Sequence, residues 1–488
     1  MPLADAALSI RPVATRSRRA VAEPSCLGSY GHSNFTTEGQ QAVAERETGC
    51  SCAHECPGHQ PWPPWAHTDA GTGTGEPTPA RPATFGAVCA VGEFRVLWLA
   101  DVLSLLGDQL ARVALAVLVF GRTRSALLTG LVYALSFLPA LVGGPLLAGL
   151  ADRLPRRRLM VSCDLARGLV VAVMAAPGAP LWLLCALLVG AVLLTAPFTA
   201  ARAALLPDVL PDDRYVLASA INNITDQGGQ VLGFAVGGGL AAALGSSMTL
   251  GIDAATFVAS ALLLQLGLAH RPAPSDPKGR GRPSVLRSAL AGSRLIGGDA
   301  RLRALLGYAW LCGFSVVPEG LAAPYAAAEG AGAGTVGLLM AAQPTGAVLG
   351  AVLLARFVAP ARRLRLMGPL AVLSCAPLLG CALRPGIPIT LALLAVSGLG
   401  TAFQLAANAA FVQAVPAAVR GQVFGLAQAG IITVQGAAIL LAGAVASRLA
   451  PALVVAGAGG LGTAAAARLI WSLRRAERAG AGKGVAGR

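Results

Sequence analysis

The sequence predicts an all-α integral membrane protein with about twelve transmembrane helices, arranged as two sets of six. Hydrophobic residues make up 55% of the 488 residues and charged residues only 12%, about half the charged fraction of an ordinary soluble domain. The mean hydropathy is +0.65. Apolar runs of roughly the 20 residues that a bilayer core requires recur from Phe94 onward. These features favour a multi-spanning protein.

The apolar runs fall into two groups on either side of a polar stretch. Spans 1 to 6 are predicted at 94–120, 125–150, 159–176, 181–204, 215–243 and 248–269. Spans 7 to 12 are predicted at 302–327, 333–355, 366–383, 387–415, 419–446 and 451–473. Segments 144–160 and 350–367 each contain a small-residue helix end, then arginines, then Leu-Met. This similarity indicates that the two halves are repeats of one unit.

The predicted domain order places the two halves between polar segments. We expect a six-helix bundle at 91–269, a basic cytoplasmic linker at 270–300 and a second six-helix bundle at 301–475. Residues 1–90 are rich in Pro, Gly, Ser and Thr, so they cannot bury enough apolar surface to offset the entropy of ordering. This tail and residues 476–488 are predicted to be disordered and cytoplasmic. No apolar run near Met1 resembles a signal peptide.

The cysteines predict neither a metal site nor a disulfide framework. Residues of metal-ligand type occur within 50–59, at Cys50, Cys52, His54, Cys56 and His59. Their spacing differs from that of ordinary zinc modules, so we interpret them as part of a non-structural tail. The other cysteines form no convincing pairs, and no cofactor is expected.

The distribution of basic residues predicts the orientation. The loops that would share one side with both termini carry 18 Lys and Arg residues, and the opposite loops carry 4. Cytoplasmic loops are the ones enriched in these residues, so both termini are predicted to be cytoplasmic. The net charge of +15 is then explained by topology and contact with anionic lipid rather than by nucleic-acid binding. The dominance of Arg over Lys is typical of a high-GC genome, which favours a bacterial plasma membrane.

Ionisable residues deep in the spans are the candidates for transport chemistry. Such groups are costly at membrane depth and mark functional sites. The candidates for proton coupling or the substrate cavity are Asp108 and Arg112 in span 1, Asp226 in span 5 and Glu319 in span 7. A carboxylate that exchanges a proton as access alternates would supply the coupling. Alternatively, Asp108 and Arg112, one helical turn apart, form a fixed structural pair, and Asp253 caps a helix.

Short motifs along the chain together resemble the major facilitator superfamily, and within it exporters similar to enterobactin and macrolide efflux proteins. They lie, in order and on the appropriate helices, at 94–98, 104–109, 148–158, 206–208, 253–257 and 415–424. The resemblance covers 94 to about 470 and implies the major facilitator fold.

The loop between spans 2 and 3 resembles the gating motif of that superfamily. The matching positions are Gly149, Asp152, Arg153, Arg156 and Arg157, while Ala148 and Pro155 stand where the family has glycine. The resemblance implies that Asp152 contacts the cytoplasmic start of span 11, near 417–421, and stabilises the outward-facing state. A carboxylate at a helix N-terminus contributes about 0.3–1 kcal/mol. The alternative is that these arginines only set topology.

Span 5 carries glycines that resemble the antiporter motif of the superfamily. They are Gly229, Gly233, Gly237 and Gly238, with Phe234 in the usual proline position. Small residues let helix backbones approach closely, so we predict a packing role, while the missing proline weakens the inference of antiport. Uncharged polar residues, including Gln404, Asn408 and Gln428, either line the cavity or join helices.

The sequence therefore predicts a secondary active transporter and no enzyme. No phosphate-binding loop, zinc-peptidase motif or nucleophile constellation is present. The main hypothesis is a monomeric antiporter for the proton-coupled efflux of drugs, secondary metabolites or siderophores, as in multidrug resistance. Its partners would be a small-molecule substrate, protons and membrane lipids. The alternatives are an uptake permease of the same fold and a non-transporting membrane sensor or assembly protein.

Overall fold

The computed structural model describes residues 84–147, 150–151, 153–210, 213–271, 296–416 and 419–485. Within these ranges, helix is the only regular secondary structure. The predicted tail at 1–90 lies outside them up to residue 83, as do the Cys and His residues at 50–59 and most of the predicted linker.

The helices follow the predicted order of spans. After a short helix, Phe85–Cys89, the first half contains Gly92–Thr123 (span 1), Ala126–Ala134 with Pro139–Leu147 (span 2), Arg156–Met174 (span 3), Leu181–Val209 (span 4) and Asp213–Gly267 (spans 5 and 6). The second half contains Ala300–Trp310, Cys312–Ser315, Val317–Gly320 and Ala322–Ala328 (span 7), Ala333–Phe357 (span 8), Pro360–Leu373 with the 3₁₀ helix Ala376–Leu383 (span 9), Ile387–Gly400 with Phe403–Ala414 (span 10), Arg420–Ala446 (span 11) and Pro451–Val485 (span 12).

Length and composition give a smaller number of membrane-crossing helices than the twelve predicted spans. In the described ranges, nine helices are long and apolar enough to cross a bilayer, or ten if the pair Ala300–Gly320 and Ala322–Ala328, bent by 44°, is one span. Two features account for the difference. The helix Asp213–Gly267 contains two spans joined by a kink, and the helix of span 3 carries several charged residues that lower its hydropathy.

The kink at Gly245 reverses the chain between spans 5 and 6. Its φ of 80° and ψ of 164° are readily adopted by glycine alone. Before the kink, Gly233 approaches Gln109 of span 1; after it, Gly267 approaches Val96. Spans 5 and 6, on either side of the kink, therefore run in opposite directions along span 1.

Tight reversals define one end of the bundle, which we call the turn face. The backbone has positive φ at the turns after spans 1, 3, 5, 7 and 9, at Arg124, Gly178, Gly245, Gly330 and Gly386 respectively. Because each follows an odd-numbered span, all of them lie at the same end. At the opposite end, the loop face, described helices end at Leu147, Val209, Gly267, Phe357 and Ala414, and the next ones begin at Arg156, Asp213, Ala300, Pro360 and Arg420.

The two halves pack together towards the turn face. One buried hydrophobic cluster includes Tyr133 and Phe234 from the first half and Leu321, Met340 and Ile439 from the second. The buried residues of every other cluster in the described ranges belong to a single half. Contact between the halves is therefore concentrated at one end of the molecule.

Two glycine pairs bring helix backbones into contact across this boundary. A Cβ atom on Gly130 of span 2 would lie 3.2 Å from Cα of Gly443 in span 11. One on Gly238 of span 5 would lie 2.6 Å from Cα of Gly337 in span 8. Without side chains at these positions, van der Waals contact between the main chains joins the halves.

We predict that Gly337→Ala lowers the unfolding temperature of the purified protein. The added Cβ would lie 2.5 Å from Cα of Gly238 and from the carbonyl oxygen of Phe234, so spans 5 and 8 would have to separate, at a cost of about 1–3 kcal/mol. Gly239→Ala is the matched control, because nothing lies within 4 Å of its added Cβ. Its unfolding temperature should stay the same or rise, since alanine lowers the entropic cost of a helix. Equal decreases in both variants would contradict the close crossing.

Candidate functional site

Arg167 lies in the interior of the first half, on span 3, and is 2% exposed. Its guanidinium donates to a carboxylate oxygen of Asp108 at 2.5 Å and to Oγ of Ser104 at 3.1 Å, both on span 1. The same group lies 4.2 Å from the ring centroid of Phe257 on span 6, within the range of a cation–π contact. One arginine therefore connects spans 1, 3 and 6.

Two more carboxylates lie beside Arg167, and both are 0% exposed. Asp164, on the same helix, is 4.0 Å from the guanidinium and accepts a hydrogen bond of 2.5 Å from Ser260. Asp253 of span 6 interacts electrostatically with Arg167, but neither of its carboxylate oxygens has a hydrogen-bond partner among the described residues. Three carboxylates thus share one buried guanidinium.

A cavity of about 320 Å³ borders this charged cluster. Its walls come from spans 1, 2, 3, 4 and 6 and are mostly apolar. The ionisable residues that line it are Asp108, Arg112, Arg167 and Asp253. The first half therefore encloses a cavity in which charged groups meet apolar walls.

The structure does not pair Asp108 with Arg112. Arg112 donates to Oε1 of Gln109 at 3.3 Å and lies 5.4 Å from the ring centroid of Phe137. Asp108 binds Arg167 instead. A buried guanidinium without a counter-ion is strongly unfavourable, so Arg167 takes the carboxylate. The predicted fixed pair is replaced by a contact between spans, although both residues border the same cavity.

Sequence reasoning missed Asp164 and Arg167. The available signal was a pair of opposite charges, Asp164 and Arg167, three residues apart inside an apolar run. The pair follows closely on the basic loop before span 3, so it resembles a continuation of that loop. For Asp253, a helix cap was the alternative interpretation; the residue lies inside the helix Asp213–Gly267, well past the kink. All three belong to the interior of the first half.

A second charged cluster contains Asp226. Arg202 of span 4 forms an ion pair with Asp101 of span 1 and interacts electrostatically with Asp226 of span 5. The indole N–H of Trp98 donates to Oγ1 of Thr225 at 2.8 Å, next to Asp226. Asp226 therefore belongs to a cluster of spans 1, 4 and 5, and Asp101 of this cluster also interacts electrostatically with Asp108.

Glu319 lies at the boundary between the halves. The hydroxyl of Tyr133, in span 2, donates to Oε2 of Glu319, in span 7, at 2.7 Å. Tyr133 is buried in the cluster that both halves share. Glu319 therefore forms a polar contact between the two halves, and it also interacts electrostatically with Arg112 of the first-half cavity.

The basic part of the loop between spans 2 and 3 contacts the first half. Arg156 donates to the carbonyl of Ala204 at 2.8 Å and forms an ion pair with Asp208. Arg157 donates to the carbonyl of Gln265. These bonds join the start of span 3 to the loop-face ends of spans 4 and 6.

Other parts of the predicted gating motif lie outside the described residues. Gly149 and Asp152 are among them, as are residues 417–418 of the expected partner segment, while Arg153 is described and exposed. The contact of Asp152 with span 11 stays a prediction.

The span 5 glycines face two different helices. Built Cβ atoms on Gly229, Gly233 and Gly237 would meet side chains of span 1. Gly238 instead faces Gly337 of span 8. One face of span 5 therefore packs against span 1 of its own half, and the adjacent face packs against span 8 of the other half.

A second cavity of about 320 Å³ lies in the second half, between spans 7, 10 and 11. No ionisable residue lines it. Its polar side chains are the carboxamides of Gln404, Asn408 and Gln428, and its aromatic ones are Phe411 and Phe424, whose ring centroids are 5.2 Å apart at 70°. This cavity offers uncharged hydrogen-bonding groups and aromatic surface.

The described residues offer no metal site. No group of three or more His, Cys, Asp or Glu side chains among them could hold a metal ion. Their six cysteines are free thiols.

Sequence comparison finds a family model that matches part of the chain. Residues 97–322 match the model of the Major Facilitator Superfamily. Over 163 residues the chain is 30% identical to YfiS of Bacillus subtilis (strain 168), an uncharacterized MFS-type transporter. That match covers 33% of this chain and 39% of the relative, so the chain spans about two fifths of the length of the relative.

Solved transporter structures share the fold. The nucleoside transporter NupG matches with a TM-score of 0.59 at 17% identity, over 77% of this chain and 98% of NupG. A POT family transporter in complex with 5-aminolevulinic acid matches with a TM-score of 0.62 at 11% identity, over 81% of this chain and 98% of that one. A bacterial homologue of the lysosomal transporter Spinster, inward-facing and occupied, matches with a TM-score of 0.57 at 18% identity, over 78% and 92%. At these identities the likeness establishes the fold, which is the major facilitator fold.

We predict that Arg167→Leu strongly destabilises the protein. The change leaves three buried or half-buried carboxylates without their common counter-ion, which costs about 3–5 kcal/mol, and thermal unfolding in detergent micelles measures the loss. Arg122→Leu is the control, because Arg122 is exposed and bonded to one carbonyl oxygen; its effect should stay within about 0.5 kcal/mol. Similar unfolding temperatures for the two variants would show that the cluster does not stabilise the bundle.

Proposed function

We propose that this chain, which has the major facilitator fold, is a proton-coupled exporter of amphipathic small molecules that works by alternating access. One observation carries the proposal. The two halves share a buried cluster at the turn face, and each half holds its own cavity, charged in the first and uncharged in the second. Such a molecule can expose its cavities to one side of a membrane at a time.

The loop face is proposed to be cytoplasmic. Its loops carry the 18 Lys and Arg residues that oppose 4 on the other side, and this bias supports both termini in the cytoplasm of a bacterial cell. The structure then corresponds to an inward-facing state. Opening to the outside requires spans 2 and 11, and spans 5 and 8, to separate at their glycine contacts.

The basic loop between spans 2 and 3 is proposed to move with the first half. Arg156 and Arg157 bind spans 4 and 6 of that half, so rotation of the half carries the loop along. When the loop face closes, Asp152 would meet the start of span 11 and stabilise the outward-facing state, as the resemblance implies.

The second-half cavity is proposed to bind the substrate. If its three carboxamides faced lipid, they would lack hydrogen-bond partners, which is energetically costly. Their presence therefore favours a cavity that opens to water between the halves. Its uncharged donors and acceptors and its two phenylalanines suit a molecule with an apolar body and several hydrogen-bonding groups. Drugs, secondary metabolites and siderophores of the kind exported by the enterobactin and macrolide branch fit this description.

The ionisable candidates are proposed to couple transport to protons. Asp108 and Arg112 border the first-half cavity, and Asp226 belongs to the cluster around Arg202. Glu319 accepts a hydrogen bond across the two halves. Protonation of Glu319 would replace a charge-assisted bond with a weaker neutral one, which would favour separation of the halves at the turn face.

The test uses everted membrane vesicles with an acid interior. Ethidium, erythromycin and an iron-free catecholate siderophore are added in turn, and a fluorescent probe follows the pH gradient. At least one compound should dissipate the gradient, and Asp108→Asn should abolish that response, because it removes the carboxylate that binds Arg167 beside the first-half cavity. Asp208→Asn, at an exposed ion pair, is the control and should respond as the unmodified protein does. Release of these compounds from preloaded vesicles together with the outward protons would instead support the permease.

We predict that Gln428→Leu weakens substrate binding without changing turnover. Loss of one hydrogen bond of about 0.5–1.5 kcal/mol should raise KM roughly two- to tenfold, measured from transport rates at increasing substrate concentration. Gln265→Leu, at an exposed position on span 6, is the matched control and should leave KM unchanged. A fall in kcat at constant KM would contradict a binding role for Gln428.

A further inference from the structure

We propose that the first-half cavity holds a proton-binding site whose carrier is Asp253, with Asp108 and Arg167 as its charged surroundings. This inference rests on the proposed function and names the group that takes the coupling proton. Asp253 is 0% exposed, forms part of the cavity wall and has no hydrogen-bond partner on either carboxylate oxygen among the described residues.

The three carboxylates of the cluster differ in their partners. Asp108 is bound by Arg167, and its side chain is 35% exposed. Asp164 accepts from Ser260 and lies near Arg167. Neither carboxylate oxygen of Asp253 has a hydrogen-bond partner within the described ranges, because the nearby Thr256 hydroxyl donates to the main-chain carbonyl of Asp253 at 2.8 Å. An ionised carboxylate sealed from water and without a donor is far more costly than the neutral acid, so Asp253 holds a proton in this conformation.

The groups that face Asp253 come from each neighbouring helix. Span 1 contributes Asp108 and Arg112, and span 3 contributes Asp164 and Arg167. The cavity walls from spans 2 and 4 carry hydroxyl groups and no ionisable residue. Loss of the proton would therefore place a third carboxylate against the guanidinium of Arg167.

The site fits a proton rather than a metal ion. Asp108 and Asp164 are already engaged by Arg167 and Ser260, which leaves one carboxylate unengaged. A hard cation needs several oxygen ligands, and no group of three or more ligating side chains in the described chain is arranged to hold a metal.

Proton release at Asp253 has a structural consequence. The carboxylic acid dissociates to a carboxylate and a proton that leaves through the cavity, and the new anion competes with Asp108 for Arg167. A shift of the guanidinium from span 1 to span 6 would weaken the bonds between spans 1 and 3. Val113 and Ala116 of span 1 belong to the cluster shared by both halves. The protonation state of Asp253 therefore biases the contact between the halves.

Carbodiimide labelling tests the site without knowledge of the substrate. Dicyclohexylcarbodiimide is apolar, enters the membrane and adds to protonated carboxyl groups, whereas a water-soluble carbodiimide reacts with exposed carboxyl groups, and Asp253 is 0% exposed. The full chain in lipid nanodiscs is treated at neutral pH and mapped by mass spectrometry. We expect the apolar reagent, and not the soluble one, to modify Asp253. Asp253→Asn should lose this label and Asp208→Asn should keep it. Modification of Asp108 with Asp253 unmodified would overturn the proposal.

Transport in everted vesicles tests independently whether Asp253 carries the coupling proton. Asp253→Asn resembles the protonated form, so it should exchange ethidium or erythromycin down a gradient while its substrate-driven proton flux falls at least tenfold. Asp253→Glu should retain part of that flux, and size-exclusion chromatography checks that both variants fold. Full proton coupling in Asp253→Asn would overturn the proposal. If the unmodified protein responds to no compound, the exporter function fails, while the labelling still decides the proton site.

Discussion

The organisation of the first half depends on how one positive charge is neutralised inside an apolar helix bundle. Arg167 is buried on span 3 and has no access to bulk water, so its charge must be balanced by neighbouring helices. Span 1 supplies a carboxylate and a hydroxyl, span 3 a second carboxylate and span 6 an aromatic face. Gly107 of span 1 lies against Asp253, and the absence of a side chain there lets span 6 approach closely enough to complete the cluster.

The two halves share a helical plan but differ in chemistry. Carboxylates and arginines line the cavity of the first half, whereas carboxamides and phenylalanines line that of the second. A bundle whose charges are balanced internally can change protonation without binding the substrate directly. A neutral, partly aromatic cavity can accept molecules of varied shape because no fixed charge demands a partner. We infer that ion coupling and substrate recognition are divided between the halves.

The helical plan could be predicted from the sequence because it depends on local properties. Apolar runs of sufficient length and loops rich in arginine predicted the order of the spans, and the structure contains a helix or group of helices at each one. The partner of Asp108 could not be predicted, because it depends on the depth at which spans 1 and 3 pack against each other. Arg112 was close in sequence, but Arg167 is buried and must be paired. The burial of Asp253 without a described hydrogen-bond partner could not be predicted for the same reason, since it is visible only when spans 1, 3 and 6 are assembled.

The glycine crossings at the turn face also determine how much membrane area the protein occupies. Where Gly130 meets Gly443, and Gly238 meets Gly337, the helices approach to backbone contact, so the cross-section of the protein is narrow in that leaflet. In the proposed transport cycle, opening at this face would push lipids aside and enlarge the cross-section. Lateral pressure in the leaflet would then oppose opening, and lipids whose shape raises this pressure would hold the protein closed at the turn face. The lipid composition of the membrane would thus become part of the energy that separates the two proposed conformations.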